Sequence, residues 1–282
     1  MNADVVHIRH LLGFTFDLPE IAKLLGMRVV LSFHDFYFVC PSTHLIDSTT
    51  TYCAGNCWRQ EGQCHYPRKW LSATMPNLSA FNAQWREEVA HMLRHCDHFI
   101  TTTEAAREVH QRAYGDLLPD TRFTIIEHGR DFPSHGTLPV PAWTAPKPGD
   151  DIRILLPGQL GINKGIHFIE KLKELDTQNR LHFHFLGSGS GALAHLGEVH
   201  GAYEREEFAA RVAEIQPAFV GIFSIWPETY CHTLSEAWAC GIPVLASDIG
   251  AIKERVEKKF CKATKNDFEA RLKWDEYQDA YE

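Results

Sequence analysis

The sequence has no run of 18 apolar residues and no basic tract, and its first residues do not resemble a secretory signal peptide. Its 28 lysines and arginines are outnumbered by 36 aspartates and glutamates, giving a formal net charge of -8. These absences argue against a membrane-spanning protein and against nucleic acid as a partner. We therefore expect a soluble, cytoplasmic protein, and its 282 residues, 44% of them hydrophobic, are enough for two domains.

Two common nucleotide-binding motifs are also missing. Residues 156–165, LPGQLGINKG, join a predicted strand to a predicted helix without matching the Walker A pattern. Residues 187–191, GSGSG, lack the glycine spacing of a dinucleotide fingerprint, so we expect Gly187 in a strand-end loop near a ligand. Glycines such as Gly158 let backbone N–H groups approach an anion, and Lys164 adds a point charge. The alternative is that Lys164 only opens a surface helix.

The eight cysteines do not form a recognised zinc motif. Cys96, Cys231, Cys240 and Cys261 are scattered, and we interpret them as small buried hydrophobic residues. The other four are Cys40, Cys53, Cys57 and Cys64, separated by 12, 3 and 6 residues, with His65 as a substitute ligand. These four either bind a structural zinc ion or remain thiols that order a loop, since a cytosolic setting disfavours disulfides.

Residues 218–251 predict a strand, a loop, a helix and a second strand, in which Thr233 or Ser235 caps a helix that stops at Gly241. Ligands of an open parallel sheet bind outside the carboxyl ends of its strands, where helix N-termini attract anions. Glu228 and Glu236 lie at this edge, eight positions apart. A carboxylate can accept hydrogen bonds from vicinal hydroxyls, so Glu236 would suit a ribose and Glu228 a second sugar. Alternatively, Glu228 is a solvated loop charge, and Glu236 only interacts favourably with the helix dipole.

The first half of the chain also alternates predicted strands and helices, which indicates an α/β fold with a parallel, doubly wound sheet. Asp17 and Glu20 predict a capping box at the start of the first helix. His34 and Asp35 follow the second predicted strand, where a neutral imidazole could bind a sugar hydroxyl and Asp35 could fix its tautomer or the loop. A locally satisfied loop histidine is the alternative.

Residues 131–150 contain five prolines and predict a semi-rigid linker between two lobes. We expect one lobe at residues 1–130, a second lobe at 151–256, and a charged helix or tail at 257–282. No repeat of fixed period is visible.

Three segments together resemble the retaining GT-B glycosyltransferases of family 4. PETYCHTLSEAWACGIPVLAS resembles the family's E-x7-E segment, LLPGQLGINKG its phosphate segment, and LSFHDFYFVCP its N-terminal histidine-aspartate segment. The order and spacing of the three also match the family. The resemblance implies two Rossmann-like lobes, of which residues 1–130 form a partial acceptor-side lobe and residues 151–256 a nucleotide-sugar-binding lobe. It further implies transfer of a sugar from a nucleotide-diphosphate donor to a hydroxyl of a glycan or lipid-linked acceptor, with retention.

The resemblance also implies roles for individual residues. It places three residues at the reacting sugar: His34, Asp35 and Glu228. It places seven residues at the nucleotide and its phosphates: Gly158, Gln159, Lys164, Gly187, Tyr203, Thr233 and Glu236. No metal ion or other cofactor is required. The resemblance places residues 36–76 on the acceptor side. The sequences of the motifs are most similar to those of bacterial enzymes of O-antigen or capsule assembly. Such enzymes can contact the inner face of the membrane peripherally.

The sequence departs from the family at three places. Gln159 replaces an arginine and brings no charge to the diphosphate. The N-terminal lobe lacks the family's first glycine-rich loop, and the C-terminal residues do not resemble the usual continuation, so we expect a fragment of a longer protein. Two alternatives to an active transferase follow: a weakly active or non-catalytic donor-binding fragment, and an epimerase- or phosphorylase-like enzyme with the same two-lobe fold.

Overall fold

A computed structural model of the protein describes residues 3–47, 49–56, 78–129 and 142–261. The expectations for Cys57, Cys64, the first part of the proline-rich linker and the tail after residue 261 lie outside these ranges. Within them, no helix combines the length and the apolar character needed to cross a membrane.

The first lobe is built on four parallel strands in the order β1-β2-β3-β4. Because consecutive parallel strands need a crossover, helices alternate with them as the sequence predicts. The strands are β1 (Val5–Ile8), β2 (Arg28–Ser32), β3 (His98–Thr101) and β4 (Phe123–Ile125), and the helices are α1 (Leu18–Leu24), α2 (Leu78–Arg94) and α3 (Glu104–Tyr114).

The second lobe contains five parallel strands in the order β7-β6-β5-β8-β9. The strands are β5 (Ile152–Pro157), β6 (Leu181–Leu186), β7 (Gly197–Gly201), β8 (Phe219–Ile222) and β9 (Val244–Ala246). The helices are α4 (Ile166–Leu175), α5 (Phe208–Ile215), α6 (His232–Ala239) and α7 (Gly250–Cys261). Two Rossmann-like α/β sheets are therefore present, as predicted.

The hydrophobic core of the first lobe fixes the position of His34 and Asp35, which follow β2. Val29 and Leu31 are fully buried on β2, and Phe33 continues the run. The Phe33 ring stacks on Phe99 at 5.7 Å and on His110 at 4.0 Å between centroids. Since a buried parallel strand reads as a continuous apolar run, the polar residues directly after it emerge at the carboxyl edge of the sheet.

The N-terminus of α3 in the first lobe is held by a carboxylate from α7 in the second lobe. Glu254 accepts hydrogen bonds from the backbone N–H groups of Glu104 at 3.1 Å and of Ala105 at 2.8 Å. These N–H groups have no partner inside their own helix, and a negative charge there is favoured by the helix dipole. One acidic side chain thus caps a helix and joins the two lobes.

Two predicted side-chain caps of helices are wrong. Asp17 precedes α1, but its carboxylate accepts from the Thr15 hydroxyl at 2.7 Å instead of capping the helix. Helix α6 begins at His232, before the predicted cap at Thr233 or Ser235, and its preceding residue is Cys231 in a left-handed conformation. Both errors have a physical cause, because contacts outside the helix replace the side-chain caps that the sequence offers.

Candidate functional site

A cavity of about 440 Å3 lies between the two lobes. Its first-lobe wall includes His34, His44 and His128, while the second-lobe wall comes from the residues after β5 and β8 and from the start of α6. Small-molecule sites of open α/β sheets occupy this position, outside the carboxyl ends of the strands. The cavity is therefore the candidate active site.

The loop after β5 places Lys164 in this cavity because Gly165 allows a very close backbone contact. Gly165 has a φ of +78°, and a Cβ atom there would lie 2.0 Å from the carbonyl oxygen of Phe223. A second contact joins the same loops, since the Ile225 N–H donates to the Asn163 carbonyl at 3.1 Å. The lysine is thereby fixed against the loop that carries the first glutamate of the E-x7-E segment.

Lys164 and Glu228 form an ion pair at the wall of the cavity. The Lys164 Nζ atom lies 2.5 Å from Oε1 of Glu228, and the Ser224 hydroxyl donates to the same oxygen. The Glu228 side chain is 6% exposed and that of Lys164 is 30% exposed. Glu228 also has a φ of +44°, a conformation that non-glycine residues rarely adopt and that is concentrated at functional sites.

The residues after Glu228 are attached to the first lobe by hydrogen bonds. The Thr229 hydroxyl donates to the His34 carbonyl at 2.6 Å, and the Thr229 carbonyl accepts from the Thr102 hydroxyl at 2.5 Å. The Tyr230 hydroxyl donates to the His128 carbonyl at 2.9 Å. The glutamate that contacts Lys164 is thus next to the main junction of the lobes.

Arg255 supports this junction from α7, and sequence reasoning did not identify it. It is buried, and its guanidinium donates to the carbonyls of Tyr230 and Cys231, both at 2.8 Å. It also donates to the Ser235 hydroxyl at 2.7 Å and lies 3.7 Å from the centre of the Tyr230 ring. The run of charged residues around Arg255 gives no local signal that distinguishes it from solvated helix charges.

His34 lines the cavity as a neutral imidazole, whereas Asp35 does not line it. Burial, followed by the nearby charge of Arg9, lowers the pKa of His34 to about 4. Arg9 donates to Nε2 of His34 at 3.1 Å, so the proton of the neutral ring is on Nδ1. Asp35 accepts from the Tyr37 N–H at 2.8 Å and contacts His10 at 3.3 Å. Its observed contacts are those of a loop-ordering residue.

Three imidazoles form a row that runs from the first-lobe wall of the cavity to its second-lobe wall. The His34 and His128 rings are stacked with centroids 5.7 Å apart, and His128 stacks on His232 at 5.0 Å. Nothing in the sequence singles out His128 and His232 among the 17 histidines of the chain. Only their position after β4 and at the start of α6 brings them together.

The ten predicted site residues divide into those that line the cavity and those that do not. Six of the ten predicted site residues line the cavity: His34, Gly158, Gln159, Lys164, Thr233 and Glu228. Asp35, Gly187, Tyr203 and Glu236 lie outside its lining. A Cβ atom on Gly187 would lie 2.0 Å from the Gly158 carbonyl oxygen, so this glycine allows the strand-end loops to pack closely.

Tyr203 and Glu236 contact each other beside the cavity. The Tyr203 hydroxyl donates to Oε2 of Glu236 at 3.0 Å, and Glu236 is 5% exposed on the buried side of α6. The pair connects α6 to the loop after β7, which is the strand that sequence reasoning missed. The Glu236 carboxylate is thus hydrogen-bonded, as expected of a buried polar group.

The structure describes two of the four clustered cysteines. The Cys40 sulfur lies 3.2 Å from the Ser42 hydroxyl, and the Cys53 thiol donates to the Leu45 carbonyl at 3.1 Å. Burial raises the pKa of the Cys53 thiol. The zinc alternative remains a prediction because Cys57 and Cys64 lie outside the described residues.

In a comparison with family models, each lobe matches a glycosyltransferase model. Residues 1–132 match the model described as Glycosyltransferase Family 4, and residues 151–272 match the model described as Glycosyl transferases group 1. No curated protein sequence matches the chain.

Solved structures of glycosyltransferases share the fold. HepE from Anabaena in complex with UDP superposes with a TM-score of 0.54 at 14% identity, over 89% of this chain and 61% of that one. A glycosyltransferase from Rickettsia africae has a TM-score of 0.51 at 15% identity, over 88% and 58% of the two chains. An α,α-trehalose-phosphate synthase from Burkholderia vietnamiensis has a TM-score of 0.50 at 12% identity, with the same coverage of 88% and 58%. The chain spans about three fifths of the length of these structures and has their two-lobed GT-B fold.

Proposed function

Because both lobes match glycosyltransferase families, we propose that this chain transfers a sugar from a nucleotide-diphosphate donor to a hydroxyl of a glycan or lipid-linked acceptor, with retention of configuration. The reaction belongs to the assembly of cell-surface polysaccharide of O-antigen or capsule type, on the cytoplasmic side, where the protein contacts the membrane peripherally. The observation that carries the proposal is the Lys164–Glu228 pair at 2.5 Å in a cavity walled by both lobes.

The diphosphate of the donor is assigned to Lys164, Gln159 and the backbone N–H groups near Gly158. These groups lie together on the second-lobe wall, close to the N-terminus of α6. In the transition state, negative charge grows on the departing diphosphate, and preorganised donors stabilise it there more than in the ground state. Gln159 supplies a hydrogen bond without charge, so Lys164 is the main cation in this assignment.

The transferred sugar is assigned to Glu228 and His34. Glu228 is the only carboxylate among the described residues that line the cavity, and one of its oxygens already binds Lys164 and Ser224. This arrangement suits a hydrogen-bond acceptor for sugar hydroxyls better than a covalent nucleophile. His34 offers its Nδ1 proton to the sugar, since its Nε2 accepts from Arg9. Both side chains then act by positioning the reacting centre.

The ribose is assigned to Glu236, which lies one turn of α6 after the cavity-lining Thr233 and which the Tyr203 hydroxyl orients at 3.0 Å. A carboxylate at this place accepts two hydroxyl hydrogen bonds, and Tyr203 lies on the side of the base. HepE forms complexes with UDP and with UDP-glucose, which makes these two compounds suitable first probes.

Calorimetric titration with UDP and UDP-glucose tests the proposal. Wild-type protein should bind both, and Glu236→Gln and Lys164→Met should each weaken UDP binding by about tenfold or more, because hydrogen bonds to charged groups contribute about 1.5–3 kcal/mol. The control is Lys171→Met, which removes an exposed lysine paired only with Glu174 on α4. Equal affinities in all four proteins would contradict the proposed donor site.

A second candidate is a donor-binding protein with little or no turnover, which is favoured by Gln159, an uncharged side chain at the proposed diphosphate position. Release of UDP from UDP-glucose, measured with and without a polyol acceptor, separates the two. Turnover that is lost in Lys164→Met supports the transferase, whereas tight binding without turnover supports the second candidate.

A further inference from the structure

Three potential metal ligands lie on one face of the second-lobe sheet, outside the cavity between the lobes. His184 on β6 is paired in register with Glu198 on β7, and His200 follows two positions later on the same strand. Side chains directly opposite each other on neighbouring strands, and at alternate positions along one strand, share a face. The pairing therefore brings two imidazoles and a carboxylate to one place at the edge of the sheet.

The separations of the three groups lie within about 0.3 Å of those between ligands around a tetrahedral ion, and the two imidazoles are hydrogen-bonded to each other. Nδ1 of His184 lies 3.0 Å from Nε2 of His200 and 3.6 Å from Oε2 of Glu198, and Oε1 of Glu198 lies 3.8 Å from Nε2 of His200. Metal–ligand bonds of about 2.0–2.2 Å at the tetrahedral angle place ligand atoms roughly 3.3–3.6 Å apart. We propose that His184, Glu198 and His200 bind a divalent transition-metal ion, with zinc as the best match to this ligand set.

Burial of the ligands suits binding of an ion from solvent. The side chains of His184 and His200 are only 10% and 14% exposed, while that of Glu198 is 67% exposed. The rings are thus held in place by their surroundings, and the carboxylate can adjust to close the site. A neighbouring cavity of about 510 Å3, bordered by His184, Glu198 and Arg153, provides an entry path and space for a water molecule as the fourth ligand.

The ion would join an edge strand to the sheet. β7 is the terminal strand of the order β7-β6-β5-β8-β9, so its backbone hydrogen bonds within the sheet go to β6 alone. One ligand comes from β6 and two come from β7. A ligand that binds only the folded state raises its stability according to its concentration and affinity, so the metal acts as a structural clamp on this edge.

Titration with Co2+ followed by visible absorption tests the site on the full chain. A tetrahedral nitrogen and oxygen site gives the intense ligand-field bands of four-coordinate Co2+, whereas a site made by Cys40, Cys53, Cys57 and Cys64 would add thiolate charge-transfer bands. The same proteins are then heated with and without Zn2+, with the unfolding midpoint as the second measurement. Wild-type protein should show the first spectrum, and Zn2+ should raise its midpoint.

The variants separate this site from other metal ligands. Glu198→Gln changes an exposed side chain and should weaken Co2+ binding by more than about tenfold, since even groups behind the ligands change metal affinity about 10–100-fold. His200→Ala should abolish both the spectrum and the Zn2+-dependent shift. His91→Ala is the control, because Glu20, His91 and His95 form a second group of three ligands in the described chain. Failure of the wild-type protein to bind, or binding that His91→Ala removes and Glu198→Gln leaves intact, overturns the proposal.

Discussion

The ammonium group of Lys164 lies 2.5 Å from Oε1 of Glu228, an oxygen that also accepts a hydrogen bond from Ser224. The pair comes from two different loops of the second lobe, and the close packing of Gly165 on Phe223 sets the distance between the loops. Under the proposed function, a bound diphosphate must share Lys164 with this carboxylate. The diphosphate contacts Lys164 and the sugar contacts Glu228 in this proposal. Because these two side chains also bind each other, binding of one half of the donor affects binding of the other.

Replacing Glu228 by Gln should separate the binding of the two halves of the donor. UDP affinity is expected to be unchanged or higher, because the Lys164 charge is no longer neutralised by a buried carboxylate. UDP-glucose should lose the part of its affinity that the sugar contributes, and transfer should fall with it. Calorimetry with both compounds gives the comparison. A parallel loss of UDP and UDP-glucose affinity would instead place Glu228 at the nucleotide.

Replacing Arg255 by Met should lower the free energy of unfolding by about 1.5–3 kcal/mol, since the carbonyls of Tyr230 and Cys231 lose a charged donor. Urea unfolding measures this change. Lys253→Met on the same helix is the control, because Lys253 is exposed and pairs only weakly with Asp248. We expect that control to stay within about 0.5 kcal/mol of wild type. Equal effects of the two substitutions would mean that Arg255 does not support the loop.

Replacing Gly165 by Ala should cost clearly more than replacing Gly26 by Ala. Both glycines have left-handed φ values, +78° and +79°, so both substitutions incur conformational strain of about 1–2 kcal/mol. Only at Gly165 does the new methyl group meet backbone, 2.0 Å from the Phe223 carbonyl, while nothing lies within 4 Å of the Cβ position at Gly26. Thermal unfolding and UDP affinity are the measurements.

Only Gly165→Ala should also weaken UDP binding, because the Lys164 loop must move. If the two variants unfold at the same temperature, or if Gly26→Ala alone weakens UDP binding, the close approach of the two loops is not what positions Lys164.

Acid should destabilise the protein through His110. Burial lowers its pKa from 6.5 to about 4 in the folded state, and the ring is stacked on Phe33 at 4.0 Å. The unfolded chain therefore takes up a proton first as the pH falls. The contribution of His110 to the free energy of unfolding is complete above pH 6.5. It decreases by about 3 kcal/mol as the pH falls from about 6.5 to 4.

The variant His110→Phe keeps an aromatic ring in the core and should flatten this pH dependence. Urea unfolding at pH 7.5, 6 and 5 measures it, with removal of the exposed His195 as the control for a surface imidazole. A slope identical to that of wild type in His110→Phe would exclude His110 as the acid-sensitive group.

Sequence patterns identified the residues that follow buried strands, and the structure brings several of them together. His34, Lys164 and Glu228 could be placed because apolar runs predict parallel strands, whose carboxyl ends converge. Arg255 and His128 could not, because they reach the site through contacts between segments that share no local pattern. Strand β7 was missed for a related reason: GEVHG has glycine at both ends and only one large apolar residue, so its pairing with β6 decides its conformation.

The attachment of Thr229 and Tyr230 to the first lobe has a mechanical consequence. Their hydrogen bonds to His34, Thr102 and His128 begin one residue after Glu228 along the chain. Any rotation that parts the lobes must pull on these bonds and so shift the neighbouring carboxylate. Under the proposed function, separation of the two lobes and release of the sugar from Glu228 are therefore coupled in a single movement.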